Sequence, residues 1–260
     1  MMLKDKTAIV YGGGGVIGAA VAGAFAREGA RVFLAGRDRA KLERAAAACG
    51  GEFEQVDVLD GDRTAAHAAS VAGRTGGIDI VFNATGFDHD HGTTLGDLDV
   101  ETFMQPVDRF LRSLFFIAKA VAPHMGGQRG GAILTMSVPA ARLAFGGHLG
   151  HAAAAAGAEA FCRTLADEMG PRNVRVVTLR SHAIAGAAAA GSYTAGVFGE
   201  KASAMGLTVD QWLGGAAQGT MLRRLPSLED IAQTAAFVAS DRAAAMTGAV
   251  VNLTCGLIAD

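Results

Sequence analysis

The 260 residues include only three cysteines, Cys49, Cys162 and Cys255. They lie far apart, are odd in number and form neither a CxxC pair nor a zinc-ligand spacing, which argues for structural thiols in a reducing cytosol. Charge of one sign is missing too. Basic and acidic residues number 23 and 25, are mixed throughout and leave a formal charge of −2. That balance offers no basic face for nucleic acid and no polybasic membrane anchor, so a small-molecule partner is expected. Long hydrophobic runs are also lacking. The apolar run in MMLKDKTAIVYGGGG is too short for a signal peptide, and the weakly polar stretch from Val176 to Phe198 is interrupted by Arg180 and His182. No membrane span and a cytoplasmic location are expected, and no repeat of 20 to 50 residues is present.

What the chain does have is alternation. Short runs rich in β-branched residues, at 7–11, 31–35, 54–58, 79–84, 131–137, 174–179 and 249–254, are separated by longer alanine-rich helical patterns. Seven such runs predict an α/β, Rossmann-type doubly wound parallel sheet with helices on both faces. The first two helices are expected to end at Gly29 and Gly50, and a helix after Ser227 has a serine N-cap and an acid in its first turn. Residues 185–224, rich in glycine and alanine with no strand signal, read as a flexible substrate flap inserted in one domain spanning 1–260.

The first strand runs directly into YGGGGVIGAAVAGAFA, where Gly13-x-Gly15-x-x-Gly18 opens a helix. Small residues let the backbone approach a pyrophosphate, and the helix N-terminus supplies free N–H groups and a favourable dipole. A dinucleotide site follows, with Gly12, Gly13, Gly15, Val16, Ile17 and Gly18 as its loop. The second strand ends LAGRDR, with Gly36 where an NAD-specific site would usually carry an acid for the ribose hydroxyls. Arg37 can pair with a 2′-phosphate, which favours NADP(H) over NAD(H), although Asp38 offers a ribose ligand as the alternative.

Together with Asp57-Val58, Asn83-Ala84-Thr85-Gly86, Ser137, Thr247-Gly248 and LRRLPSLEDIAQTAAFVASD, this loop resembles the short-chain dehydrogenase/reductase family over essentially the whole chain. The resemblance implies that Asp57 and Val58 hold the adenine and that Asn83, Ala84 and Gly86 line the ribose. Ile184 matches a position that contacts the nicotinamide amide. It also implies a homo-oligomer, a tetramer or dimer, pairing the helix containing Phe110 to Val121 and the helix from His151 to Met169. The departures from the family pattern concern chemistry. Tyr11 replaces a threonine and Val16 a glycine in the phosphate loop. The family's catalytic tyrosine and lysine should fall at His151 and Ala155, its helix asparagine near Phe110, and its serine at Val138 beside Ser137. The only tyrosines are Tyr11 and Tyr193, and no lysine occurs between Lys119 and Lys201. Carbonyl reduction needs a proton, which the family takes from a tyrosine whose pKa of about 10 is depressed by the lysine. Loss of a general acid is worth roughly 10²- to 10⁴-fold.

Histidine is the available replacement. Five of seven histidines fall after the fourth, fifth and sixth strands, at His89, His91, His148, His151 and His182, on the face where such sheets bind ligands. His151 in the tyrosine's place, or His148 one turn earlier, can act as the acid, with Ser137 orienting a substrate oxygen. The competing reading is a polar helix start followed by an alanine run that packs closely. DHDH at 88–91 has metal-ligand composition, but alternating acids and histidines in one loop read as solvated, and no metal is expected. Tyr193 could enter from the flap as a donor. Three functions stay open: an NADP(H)-dependent oxidoreductase for a small carbonyl or alcohol with an atypical proton donor, a cofactor-binding protein without catalysis, and a non-redox lyase or cyclase using the histidines.

Overall fold

The computed structural model describes residues 1–259. Its seven strands are β1 (Thr7–Tyr11), β2 (Arg31–Gly36), β3 (Glu52–Gln55), β4 (Ile80–Asn83), β5 (Gly131–Ser137), β6 (Val174–Ser181) and β7 (Val250–Leu253). They pair in parallel in the order β3-β2-β1-β4-β5-β6-β7. The doubly wound α/β sheet expected from the alternation is therefore present, and its strand order reverses between β1 and β4. Such a reversal opens a crevice beyond the carboxyl ends of the strands, where ligands of these sheets bind.

The period-two alternation of β1 explains why both faces are covered. Ala8 and Val10 point into a core with Val21, Phe25, Ile231 and Ala235, while Ile9 and Tyr11 point into a second core with Val71, Phe87, Ile117 and Cys162. The first core lies under α1 (Val16–Arg27), α2 (Arg39–Cys49) and α8 (Leu228–Ala239). The second lies under α3 (Gly61–Thr75), α4 (Val100–Val121) and α5 (Leu149–Met169). Side-chain caps set most helix starts: Asp38, Asp60, Asp99 and Ser227 each accept from a backbone N–H in the first turn. Gly50 closes α2 in the left-handed region, whereas α1 stops at Arg27 and Gly29 follows two residues on.

One strand differs from expectation. β3 occupies 52–55 rather than 54–58, because Asp57 turns the chain by accepting from Leu59 N at 3.0 Å and Asp60 then caps α3. Val56 and Val58 are buried against α3 and its neighbours instead of extending the sheet. The segment between β6 and α8 folds into α6 (Thr194–Ala204) and α7 (Val209–Gln218). α6 buries only Ala202 and α7 buries no residue, so this segment contributes little to either core. No helix among the described residues is long and apolar enough to cross a membrane.

Candidate active site

The glycine loop sits at the carboxyl end of β1, against the reversal in strand order. Gly12 has φ +74°, and a Cβ there would lie 2.7 Å from the Ala84 carbonyl carbon, so the loop passes directly over the end of β4. A Cβ on Gly18 would come within 2.3 Å of the Gly12 carbonyl oxygen. Glycine at these positions is required for the turn itself to close. Gly15 is the N-cap of α1 and provides no side-chain cap, leaving the first-turn N–H groups for an anion. Tyr11 does not obstruct this loop. Its ring turns to the opposite face of the sheet and its hydroxyl lies 3.4 Å from His67 Nδ1. Val16 and Ile17 pack partly into the first core, and Gly13 is anchored through its N–H to Ala35 O at 3.0 Å.

At the end of β2 the three polar residues have separate fates. Asp38 accepts from Lys41 N at 3.0 Å as the cap of α2. Arg39 lies over the Phe53 ring at 5.4 Å. Arg37 is exposed, and its guanidinium makes no ion pair or hydrogen bond with the described residues; only its carbonyl is used, by Gln55. Asp38 thus spends one carboxylate oxygen on its helix, while the Arg37 guanidinium is open to a ligand. Asn83 is buried, and its Oδ1 accepts from Thr85 N and Oγ1 at 3.0 and 2.6 Å, shaping the turn into Ala84 and Gly86. Asp57 remains exposed beside buried Val58, and Ile184 is buried in the first core.

Four of the five histidines singled out by position come together. His89 and His91 lie in the irregular segment after β4, and His148 and His151 at the start of α5. Two backbone approaches bring these segments side by side. Gly92 N donates to Gly147 O at 2.8 Å, and a Cβ on Gly147 would strike Gly92 Cα at 2.6 Å. Behind them, Gly150 packs against the Phe103 carbonyl of α4 so closely that a Cβ would lie at 2.4 Å. The rings of His89 and His151 stack in parallel with centroids 3.9 Å apart and planes 1° from coplanar. His91 lies 4.2 Å from His148 and 5.2 Å from His151, while Phe110 edges the group at 6.5 Å from His151. His182, after β6, makes no ring contact with them.

Hydrogen bonds fix several tautomers. His89 Nδ1 is 2.8 Å from Phe87 O and His148 Nδ1 is 2.8 Å from Gly146 O, so each donates there and keeps its lone pair on Nε2. His91 Nε2 lies 2.9 Å from His89 Nε2 and must donate to it. The Nδ1 atoms of His91 and His151 are buried and have no partner. An unsatisfied buried polar atom costs roughly 1–3 kcal/mol, so two in one cluster are expensive for the fold. Burial and the neighbouring imidazoles hold His91 and His151 neutral, with pKa values pushed down to about 2 and about 3. His89 and His148 shift down as well, chiefly from burial. A charged imidazolium acid is therefore not the resting form: neutral His151 can donate a hydrogen bond or bind an electrophile.

The flap supplies two groups that spacing along the chain could not reveal. Lys201 Nζ on α6 lies 3.4 Å from His148 Nε2. The Tyr193 ring lies 6.2 Å from that of His89 and covers Gly86 so closely that a Cβ there would meet Cε1 at 2.4 Å. Although 42% of the residue's surface is exposed, its phenol is pushed up to about 12 by desolvation and by the Asp88 charge, the reverse of an activated donor. Ser137 has a different partner from the one expected. Its hydroxyl donates to Glu159 Oε1 at 2.8 Å, and the same carboxylate is gripped by Arg180 Nε and Nη2 at 2.8 Å each. All three are buried, Glu159 two turns along the histidines' own helix and Ser137 and Arg180 on β5 and β6. The sequence signal for this ion pair was an acid, Glu159, set among the alanines of the helix and a second arginine, Arg180, near the end of an apolar strand.

Comparison with known proteins resolves the family. The family model described as "Enoyl-(Acyl carrier protein) reductase" matches residues 14–257. The chain belongs to the short-chain dehydrogenase/reductase family. It is 30% identical over 261 residues to "Probable galactose dehydrogenase GalD" of Rhizobium meliloti (strain 1021), covering 98% of this chain and 96% of that one. It is 29% identical to "3-oxoacyl-[acyl-carrier-protein] reductase FabG" of Chlamydia muridarum, covering 98% of each. A solved "short chain dehydrogenase/reductase family protein" superposes with a TM-score of 0.79 at 32% identity and 98% coverage of both chains. The protein is thus an oxidoreductase of the NAD(P)-dependent short-chain type, acting on alcohols or carbonyls.

Proposed function

We propose that the protein is an NADP(H)-dependent oxidoreductase for a small neutral carbonyl or alcohol, in which the histidine cluster takes over the work of the family's tyrosine and lysine. The observation that carries this reading is the assembly of His89, His91, His148 and His151 at the carboxyl ends of β4 and β5, the same end of the sheet as the glycine loop. Bound NADPH supplies a hydride. Gly13, Gly15 and the first turn of α1 hold the pyrophosphate, and Arg37 pairs with the 2′-phosphate. Asp57 and Val58 flank the adenine, Asn83, Ala84 and Gly86 the ribose, and Ile184 the nicotinamide amide.

His151 orients the substrate oxygen through a neutral imidazole, as a hydrogen-bond donor and not as an imidazolium. Such a donor stabilises charge developing on oxygen through its neutral N–H, and the alkoxide left by hydride transfer takes its proton through the cluster, which is resupplied from solvent. His148, in contact with Lys201, connects the cluster to the flap and to solvent protons. Ser137 supports the site from below through Glu159. No arginine clamp for an acidic substrate stands among the histidines, which favours a neutral one. Assembly through α4 and α5 into a dimer or tetramer belongs to the same reading; Phe115 on α4 is exposed and available for it.

The test is a titration with NADPH and NADH followed by nicotinamide fluorescence, then a panel of small carbonyls. Preferential NADPH binding and carbonyl-dependent NADPH oxidation, lost in His151→Ala with cofactor affinity intact, are the expected results. Binding without turnover across the panel would instead select the non-catalytic cofactor-binding reading. Product formation with no net change in cofactor oxidation would select the lyase or cyclase.

A further inference from the structure

The histidine cluster has a property that the proposed reaction does not use. His89, His91 and His151 each offer one ring nitrogen, and these three atoms lie within 4.8 Å of one another. Nitrogens on a tetrahedral zinc ion, at bond lengths of about 2.0–2.1 Å, stand roughly 3.3 Å apart. The two Nε2 atoms of His89 and His91, at 2.9 Å, are already near that separation, and ligation moves the His91 proton from Nε2 to its unpartnered Nδ1. Closing the third position needs a movement on the order of 1 Å, and two of the three ligands sit on an irregular loop that can supply it.

We propose that His89, His91 and His151 form a binding site for a divalent transition metal of the zinc class, with a water molecule in the fourth position. Three features support a built site over a chance grouping. His89 donates Nδ1–H to the Phe87 carbonyl, the outer-shell bond that fixes a metal-binding imidazole with its Nε2 lone pair inward. Nδ1 of His151, on a residue with only 9% of its surface exposed, has no partner, and neither has Nδ1 of His91. Finally, no carboxylate among the described residues hydrogen-bonds to any of the three rings, although Asp88 and Asp90 flank them in sequence: Asp90 is occupied by Thr93 N and Oγ1 at 3.1 and 2.6 Å. Histidines gathered for a solvated or acid-paired role would have found those acids. His148 stands just outside the trio, its Nε2 facing Lys201, in reach of a water on the metal.

Imidazole nitrogens suit zinc, nickel, copper and cobalt, and a three-histidine set leaves the open position that structural zinc sites lack. Binding of the metal is independent of the oxidoreductase reading. Its use in catalysis rests on that reading, with the metal standing where the substrate oxygen is oriented.

The experiment loads metal-stripped protein with Zn2+ in a calorimeter and with Co2+ under visible absorption, both without nucleotide. His91→Asn and His151→Gln are compared with His124→Ala, whose backbone bonds Ile78 just before β4, at the amino end of the strands, and far-UV circular dichroism checks the fold of each. One metal ion per chain, a ligand-field spectrum of low-coordinate cobalt, and affinity reduced more than about 100-fold in both site variants but unchanged in His124→Ala are expected. That loss exceeds the 10- to 100-fold typical of outer-shell partners. Sub-stoichiometric binding, an octahedral cobalt spectrum, or affinity indifferent to both site variants would overturn the proposal. NADPH turnover is then measured with and without Zn2+. Stoichiometric binding without turnover leaves the metal site standing and removes the oxidoreductase reading, whereas turnover in protein that binds no metal does the reverse.

Discussion

The glycine loop and the histidine cluster both lie at the carboxyl end of one sheet, yet they are built in opposite ways. The loop comes from a single stretch, residues 7 to 37, and works through backbone: free N–H groups, a left-handed Gly12, and a Gly18 with no room for a Cβ. The cluster draws on three separated segments, the turn after β4, the start of α5 and the flap, and works through side chains. The first is secured by local geometry. The second is secured only by what lies around it, and its two unpartnered ring nitrogens show that cost. In this fold, cofactor recognition is fixed by chain path while chemistry is left to loops that can be rewritten.

If the cluster depends on its surroundings, the largest loss should come from below it. Glu159 and Arg180 form a bidentate buried pair that also holds Ser137. Glu159→Ala removes the carboxylate that accepts two bonds from buried Arg180 and one from Ser137, and breaking a buried pair from one side costs about 3–5 kcal/mol; replacing both partners with apolar residues of similar volume costs far less. Denaturant unfolding of Glu159→Ala beside the double variant Glu159→Leu/Arg180→Met checks this. Equal destabilisation of the two would mean that the pair contributes net attraction and not merely mutual neutralisation.

The loop offers the converse test. Gly18→Val drives a side chain into the Gly12 carbonyl, which is backbone and cannot yield without reshaping the turn. Overpacking of this kind costs roughly 1–3 kcal/mol, and NADPH affinity should fall by about 100-fold or more while the histidine cluster keeps its metal affinity. Coupled loss at both sites would break the contrast between them.

The same contrast explains how much could be read in advance. Strands β1, β5 and the glycine loop follow from local pattern, since a β-branched run ending in glycines leaves little choice of path. The position of β3 was misplaced because Asp57 and Asp60 divert the chain, and turn chemistry outweighed the valines at 56 and 58. That four histidines would share one place could be suspected from their strand-end positions. That three would face one another, two of them with an unpartnered ring nitrogen, could not, because it depends on Gly92 meeting Gly147 across 55 residues. Likewise the search for a lysine near the start of α5 failed along the chain, while Lys201 arrives from the flap.

Cofactor choice gives a smaller and more selective effect. With Asp38 committed to its helix and Arg37 unengaged, Arg37→Ala should weaken NADPH by about 10- to 100-fold, the worth of a charged hydrogen bond at roughly 1.5–3 kcal/mol, and leave NADH unaffected. Parallel fluorescence titrations read the ratio directly. Equal weakening of both nucleotides would assign Arg37 to the shape of the turn and not to a phosphate.

The smallest effect expected sharpens what belongs to the cluster. Tyr193 covers Gly86 and approaches His89, so position alone would make it a substitute for the family's tyrosine. Its phenol, however, is pushed up to about 12, and Lys201 contacts His148 in place of lowering it. A proton donor is worth about 10²- to 10⁴-fold, whereas a ring that only closes the pocket acts through its bulk. Tyr193→Phe should therefore keep kcat within about threefold, because the ring and its cover over Gly86 remain. Tyr193→Ala should raise KM by opening the flap side of the site. A hundredfold fall in kcat for Tyr193→Phe would transfer the proton-supplying role from the histidines to the flap, and the division between a backbone-built cofactor site and a histidine-built reaction site would have to be redrawn.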